Sequence, residues 1–441
     1  MLGVDAVTIG VFDAPMKRIL VFLAGVALSA SLPAVPAAAT ATECSFDAGT
    51  ATVTVTPLDG SADIIRRGDA IAVDGADCGA ATVTDTDTIE VRPTTGDAVT
   101  IDLRGGQFAP GLTDEGDGSS EIEFLITGSP IGSADLALTI VGSAGDDTIL
   151  AGSGPAPLVA SASRTNDAGA VFDLNGDETV KDADVTVYRS DLATQGIHVD
   201  LKGGNDTYSG GGFLGAAPIP SYVPVALLRA GAGDDTITPG LGNGSPSIYL
   251  GDHGTDTLTF AGWDPSCFTQ YASDPNLAQR GAIVCGTGGT DSATFSGGVF
   301  ERLIGHAGTD FLGGTRGVVE SHGRGGDDEL FVGPGDGSLL GGPGQDYAIF
   351  DPLPTRIHAS IVKGTANGDG HRTMTGIENL YGTSFDDRLV GDGQANVLDG
   401  ADGNDTLLGK AGIDQLYGGA GVDRCDPGGP GAGESVVDCE T

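Results

Sequence analysis

The chain has 441 residues, of which 75 are glycine and only 5% aromatic, and its 61 acidic against 21 basic residues give a formal charge of -40. Such a balance is unusual for a compact globule and drifts toward disorder unless something neutralises the acid, which points to bound divalent cations. It argues against nucleic acid as a partner, because a polyanion would be repelled.

The N-terminal stretch reads as a secretory signal. Lys17 and Arg18 precede the apolar run from Ile19 to Ala30, and small residues follow at Ala37, Ala39 and Ala41. Residues 1–41 are therefore expected to be removed, with Met16 the better start. A membrane anchor is the competing reading, but the apolar run is short for that and ends in prolines. No later stretch is long enough to span a bilayer. All six cysteines lie beyond the signal, an even count that suits an oxidising compartment. Proximity suggests the pairs Cys44–Cys78, Cys267–Cys285 and Cys425–Cys439. The absence of CxxC argues against zinc or redox chemistry.

Residues 42–140 alternate apolar and polar in short runs (ATVTVTPL, AIAVDG, ATVTDTDTIEV, DAVTIDL, EIEFLITG, LALTIVG) separated by Gly, Asp and Pro. They are expected to form an N-terminal β cap and the first coils of a repeating β structure.

Residues 141–304 introduce a glycine-rich acidic turn at irregular spacing. It appears as GSAGDDTIL at 142–150, GGNDTY at 203–208, AGAGDDTIT at 230–238, GDHGTDTLT at 251–259 and GTGGTDSAT at 286–294. Two insertions stand out. In VFDLNGDETVKDADVTVY, Asp173, Asn175, Asp177, Thr179 and Asp184 fall at the ligand positions of an EF-hand-like calcium loop. Position six is Glu178 where that loop wants Gly, and the segment that follows is β-rich; an acidic coil or surface loop is the alternative. The second insertion, residues 262–285, carries Trp263, Phe268 and Tyr271. These aromatics form either the small private core of a long loop or a carbohydrate- or partner-binding face.

From Gly305 the period locks at nine. GHAGTDFLG, GTRGVVESH, GRGGDDELF, VGPGDGSLL and GGPGQDYAI run to Ile349, and after an interruption at 350–381 come GTSFDDRLV, GDGQANVLD, GADGNDTLL, GKAGIDQLY and GGAGVDRCD. In the five units from Gly382, Gly recurs at the first position, an acid or its amide at the sixth, and Leu389, Leu398, Leu407 and Leu416 at the eighth. The early glycines are expected to supply positive φ for a tight turn, and the last three residues an extended segment with the eighth side chain facing in. Backbone carbonyls and the sixth-position carboxylate offer oxygen ligands suited to calcium, too few in one turn for a whole site. Ions are therefore expected between stacked turns. Residues 427–441 read as a disulfide-closed C-terminal cap.

These units resemble the GGxGxDxUx nonapeptide of RTX, or haemolysin-type, calcium-binding repeats, over roughly residues 140–426. The resemblance implies an all-β, right-handed parallel β-solenoid (β-roll or β-helix), two nonapeptides to a coil, with calcium shared between turns on the same side. It implies several Ca2+ ions held at Asp147, Asp206, Asp235, Asp256, Asp291, Asp310, Asp328, Asp346, Asp387, Asn396, Asp405, Asp414 and Asp423. In the 305–349 array the sixth positions fall in two columns, Asp310, Asp328 and Asp346 against Val319 and Gly337, so only one column carries carboxylates. One departure bears on biology. Members of this family usually carry an uncleaved C-terminal export signal and few cysteines, whereas this chain has an N-terminal signal and a cysteine-bearing tail, which favours an extracellular or surface protein over a toxin.

No HExxH, GxSxG or P-loop is present. The reading is therefore a secreted, non-enzymatic calcium-binding protein with a structural or surface role. The alternatives are an adhesin or glycan-binding module, with a cell-surface glycan or protein as partner, and a carbohydrate-active β-helix lyase or epimerase. For the last, Lys202, Arg302, Arg324 and Arg356 are the basic residues to inspect.

Overall fold

The computed structural model describes residues 42–57, 60–93, 97–109, 111–112, 122–127, 137–152, 168–174, 184–188, 197–210, 225–239, 247–260, 268–272, 279–285, 291–297, 300–313, 320–351, 353–429 and 433–440. The expected signal (1–41), Trp263, Cys267 and Val319 lie outside these residues. The described residues form strands and turns with no α-helix, and a single 3-10 turn at Leu103–Gly105. No helix among them is long and apolar enough to cross a membrane.

The strands belong to two sheets, and through the repeats the chain alternates between them. Arg302–Ile304 pairs in parallel with Glu320–His322, and that strand with Gly337–Leu340, in the first sheet. Asp310–Gly313, Glu329–Phe331 and Tyr347–Ile349 do the same in the second. Followed pair by pair, the second sheet is an open series from Ala76–Thr82 to Ser435–Val437, and no described pairing joins those end strands.

Most repeat strands are only three residues long because a nonapeptide gives six residues to its turn. Each such strand buries essentially one side chain. Leu330 lies between half-buried Glu329 and Phe331, and Leu389, Leu398, Leu407 and Leu416 are all 0% exposed. One leucine contributes about 1.5–3 kcal/mol, too little to hold a rung by itself. The core exists only through stacking.

The N-terminal strands are longer and bury alternate residues, as in Thr52–Thr56. They are preceded by antiparallel strands: Glu43–Asp47 lies on Thr52–Thr56, and Ala70–Val73 lies between Ser61–Arg67 and Ala76–Thr82. The Cys44–Cys78 disulfide joins the outermost strands of the two sheets at this end. At the other end Cys425–Cys439 ties the last strand of the first sheet to the chain beyond Ser435–Val437.

Antiparallel insertions enter both sheets without breaking them. Ala168–Asp173 and Val185–Tyr188 form a hairpin wedged between Thr148–Gly152 and Glu123–Ile126. A strand follows Asp184 where an EF-hand needs a helix, and Asp184 Oδ2 accepts from Leu174 N at 2.5 Å; residues 175–183 are outside the described set. Phe268–Ala272, Gln279–Cys285 and Asp291–Gly297 form a meander in the second sheet. Residues 350–381, read as an interruption, contribute His358–Ser360, Thr365–Gly368 and Gly370–Thr375. These strands bridge Gly337–Leu340 to Arg388–Val390 and keep the first sheet continuous.

Candidate metal centre

The first glycine of each unit makes room. A Cβ on Gly305, Gly323, Gly341 or Gly400 would lie 2.2, 2.0, 2.4 or 2.3 Å from Oδ2 of its own sixth-position aspartate. The carboxylate folds back over the start of its turn, where only hydrogen fits. Left-handed backbone falls not at this first glycine but at the positions just after it, as expected of glycines early in the unit. It occurs at the second position, in Lys202, Asp252, Arg324, Ala401 and Lys410 (φ 75, 72, 84, 68 and 87°), and at the fourth, in Gly326, Gly403 and Gly412 (107, 137 and 125°). The fourth position also packs hard on the preceding rung, since a Cβ on Gly412 would meet Gln394 O at 2.1 Å.

Stacking brings twelve of the thirteen expected residues into four ladders. The backbone N–H of each sixth position donates to the side chain of the sixth position one rung on. The first ladder runs Asp147 to Asp206 (2.7 Å), Asp206 to Asp235 (2.7 Å) and Asp235 to Asp256 (3.1 Å). The second joins Asp310, Asp328 and Asp346 at 2.9 Å each. The third joins Asp387 to Asp405 (2.7 Å) and Asp405 to Asp423 (2.8 Å), and the fourth Asn396 to Asp414 (2.9 Å). Asp291 stands apart: it opens a strand and pairs with Cys285 in the antiparallel meander.

Two features escaped sequence reasoning. Three ladders close on a glutamate: Glu301 Oε2 accepts from Asp256 N at 2.9 Å, Glu378 Oε2 from Asp346 N at 3.0 Å and Glu440 Oε2 from Asp423 N at 2.5 Å. A Glu placed directly before a strand, as in Glu301 and Glu378, was the available signal. An exposed second ladder also runs along the fifth positions, with Asp146, Asn205, Asp386 and Asn404 accepting from the next rung at 2.7–3.0 Å.

The sixth-position side chains are deeply buried; Asp310, Asp328, Asp346 and Asp414 are 0% exposed. One oxygen takes the ladder hydrogen bond. The second oxygen of Asp206, Asp235, Asp328, Asp346, Asp405, Asp414 and Asp423 is buried with no partner. Desolvation, reinforced by neighbouring carboxylates and opposed by the ladder hydrogen bond, pushes Asp206, Asp328 and Asp405 up to about 7. The same causes take Asp256 and Asp346 to about 6.

Bare, buried carboxylate oxygens beside close-packed backbone carbonyls suit a hard, oxygen-seeking cation. Among the described residues no three His, Cys, Asp or Glu side chains gather into a cage. An ion here would draw on carboxylate oxygen and backbone carbonyls, a set suited to calcium and not to zinc.

The carboxylate-free column is built differently. Gly337, with no side chain, pairs with Arg372. Arg372 is 2% exposed, and its Nη2 donates to Gly333 O and Asp369 O at 2.6 Å each. A guanidinium fixed in the chain thus points at one carbonyl of a turn that lacks its aspartate, Gly333 O, and at Asp369 O between the adjoining strands.

Two of the four basic residues singled out for a lyase lie in ion pairs. Lys202 Nζ sits 2.6 Å from Asp200, and Arg302 lies 3.0 Å from Glu320, which also accepts His322 Nε2 at 2.5 Å. Arg302, Glu320, His322 and Arg324 line one open depression of about 440 Å³ on the first sheet. Arg356 is exposed and lines no part of it.

No curated protein matches the chain. The model of the RTX calcium-binding nonapeptide repeat matches it in four copies, at residues 139–154, 227–245, 373–407 and 399–429. These segments contain the turns of Asp147, Asp235, Asp387, Asn396, Asp405, Asp414 and Asp423, so the chain is one that carries the RTX calcium-binding nonapeptide repeat.

Proposed function

We propose that this is a secreted protein whose stacked turns bind several Ca2+ ions and that its fold, a right-handed parallel β-solenoid with antiparallel caps at 42–82 and a disulfide-closed tail, is completed by them. The observation that carries the reading is the row of buried carboxylate oxygens without a partner in Asp206, Asp235, Asp328, Asp346, Asp405, Asp414 and Asp423. When bound, calcium supplies the positive charge that lets facing carboxylates ionise in a dry turn. The chain's own part is to aim the oxygens, through first-position glycines that clear space and ladder N–H groups that fix each Oδ1.

The role is structural, with residues 1–41 directing export and a cell surface or extracellular medium as the place of work. A glycan-binding module built on 262–285 and a carbohydrate-active enzyme are the other readings. Glu320 takes up both Arg302 and His322, which weighs against the second. Binding free energy is then folding free energy. In chelator the circular dichroism strand signal and the melting temperature should fall, and calcium should restore both, with affinity on the order of 10⁻⁴–10⁻³ M as in extracellular modules. Identical melts with and without calcium would refute the proposal.

A further inference from the structure

We infer that the first turn of each stack holds no ion of its own, because its second residue closes the site with hydrogen bonds; the inference rests on the calcium reading above. The four leading turns share one arrangement. Ser143 N donates to Asp147 Oδ2 at 2.6 Å, His306 N to Asp310 Oδ2 at 2.8 Å, Thr383 N to Asp387 Oδ2, and Asp392 N to Asn396 Oδ1 at 2.8 Å. In each the second side chain also accepts from the N–H of the fourth residue: Ser143 from Gly145 at 3.0 Å, His306 from Gly308 at 3.1 Å, Thr383 from Phe385 at 3.1 Å and Asp392 from Gln394 at 2.8 Å.

In later turns this contact is gone. The second residue there is left-handed, as in Lys202, Gly231, Asp252, Arg324, Gly342, Ala401, Lys410 and Gly419, so its N–H no longer closes on the sixth side chain. Those turns contain all seven bare aspartate oxygens. An N–H donor and a cation repel each other at a carboxylate, so one whose two oxygens both accept hydrogen bonds, as in Asp147, has less to offer an ion than one that keeps a bare oxygen.

Asn396 supports the distinction. It is the only amide among the four leading sixth positions; its Oδ1 accepts from Asp392 N, and its Nδ2 donates to Glu378 O at 2.8 Å. A place filled by hydrogen bonds tolerates a neutral amide. A calcium ligand gains from charge.

The test is a matched pair of near-isosteric substitutions in the full chain, Asp147→Asn in a leading turn and Asp206→Asn one rung on. In Asp147 the two oxygens are met by Ser143 N and by Ser143 Oγ at 3.0 Å, a hydroxyl that an amide nitrogen can also address. Calcium bound per chain is counted by equilibrium dialysis, with circular dichroism on the same samples. Asp147→Asn should bind as many ions as the unsubstituted chain, and Asp206→Asn at least one fewer. Equal counts for the two variants overturn the inference while leaving calcium binding intact. An unsubstituted chain that binds no calcium refutes the calcium reading itself. Should either variant fail to fold, Asp310→Asn against Asp328→Asn decides the same question in the other sheet.

Discussion

At the scale of single residues, the glycines are not interchangeable, and their differences are measurable. Gly323→Ala places a methyl 2.0 Å from Asp328 Oδ2 and 2.8 Å from Gly341 O. The carboxylate must leave its position, so the variant should lose calcium and about 1–3 kcal/mol of stability. Gly393, third in its unit, has nothing within 4 Å of an added Cβ and an ordinary φ. Gly393→Ala should therefore stay within roughly 0.5 kcal/mol of the parent in thermal melts with calcium present. A Gly393 variant as damaged as the Gly323 one would contradict this account of the turn. Arg372 gives a second contrast. Arg372→Gln strips two half-buried carbonyls of their charged donor and should cost about 1–3 kcal/mol. That deficit should be as large in chelator as in calcium, because no ion completes its turn; a deficit that calcium abolishes would count against the reading.

At the scale of the turn and its stack, burial of like charges makes the metal-free ladders sensitive to pH. Asp206, Asp328 and Asp405 titrate at about 7 in the fold, and Asp256 and Asp346 at about 6, against an ordinary 3.8. Between 3.8 and about 7 the fold holds protons that the unfolded chain has released, so folding stability falls as pH rises through that window. Below it both states are protonated and the full contribution is present. Melting temperatures in chelator should decline from about pH 4 to about pH 7 and then level off. With calcium the trend should reverse, because the ion needs the ionised form. A metal-free melting temperature that climbs across the window would contradict the burial of these groups.

Much of this level was legible beforehand. A nine-residue period with leucine at its eighth place repeats one local solution, and repetition makes the solution visible. Glu301, Glu378 and Glu440, and the leading Ser143, His306, Thr383 and Asp392, replace the repeat instead of copying it, so no periodicity marks them. Arg372 reaches a carbonyl 39 residues away, a contact that only stacking creates. The segment from Asp173 to Asp184 is ambiguous in sequence because acidic loops and calcium loops share a composition; the strands that flank it pair antiparallel, and residues 175–183 lie outside the described set.

At the scale of the whole array, one small leucine per rung means that no rung is stable alone, and damage to one should propagate. Leu407→Ala, at a 0% exposed site, should cost about 2–5 kcal/mol. It should also weaken calcium binding at the neighbouring Asp405 and Asp423 turns, as a calcium titration followed by circular dichroism would register. Unchanged calcium affinity in that variant would show that core and turns are independent. The ladder spacing has a consequence of a different kind. In the second and third stacks successive rungs are 18 residues apart, and each stack lies between a self-closed first turn and a glutamate. Start and stop are thus written separately from the rungs between them. A tandem duplication or deletion of whole rungs leaves both ends intact and every ladder in register. In hereditary terms, the length of the array can drift by recombination between its own repeats, while the chemistry at its boundaries stays fixed.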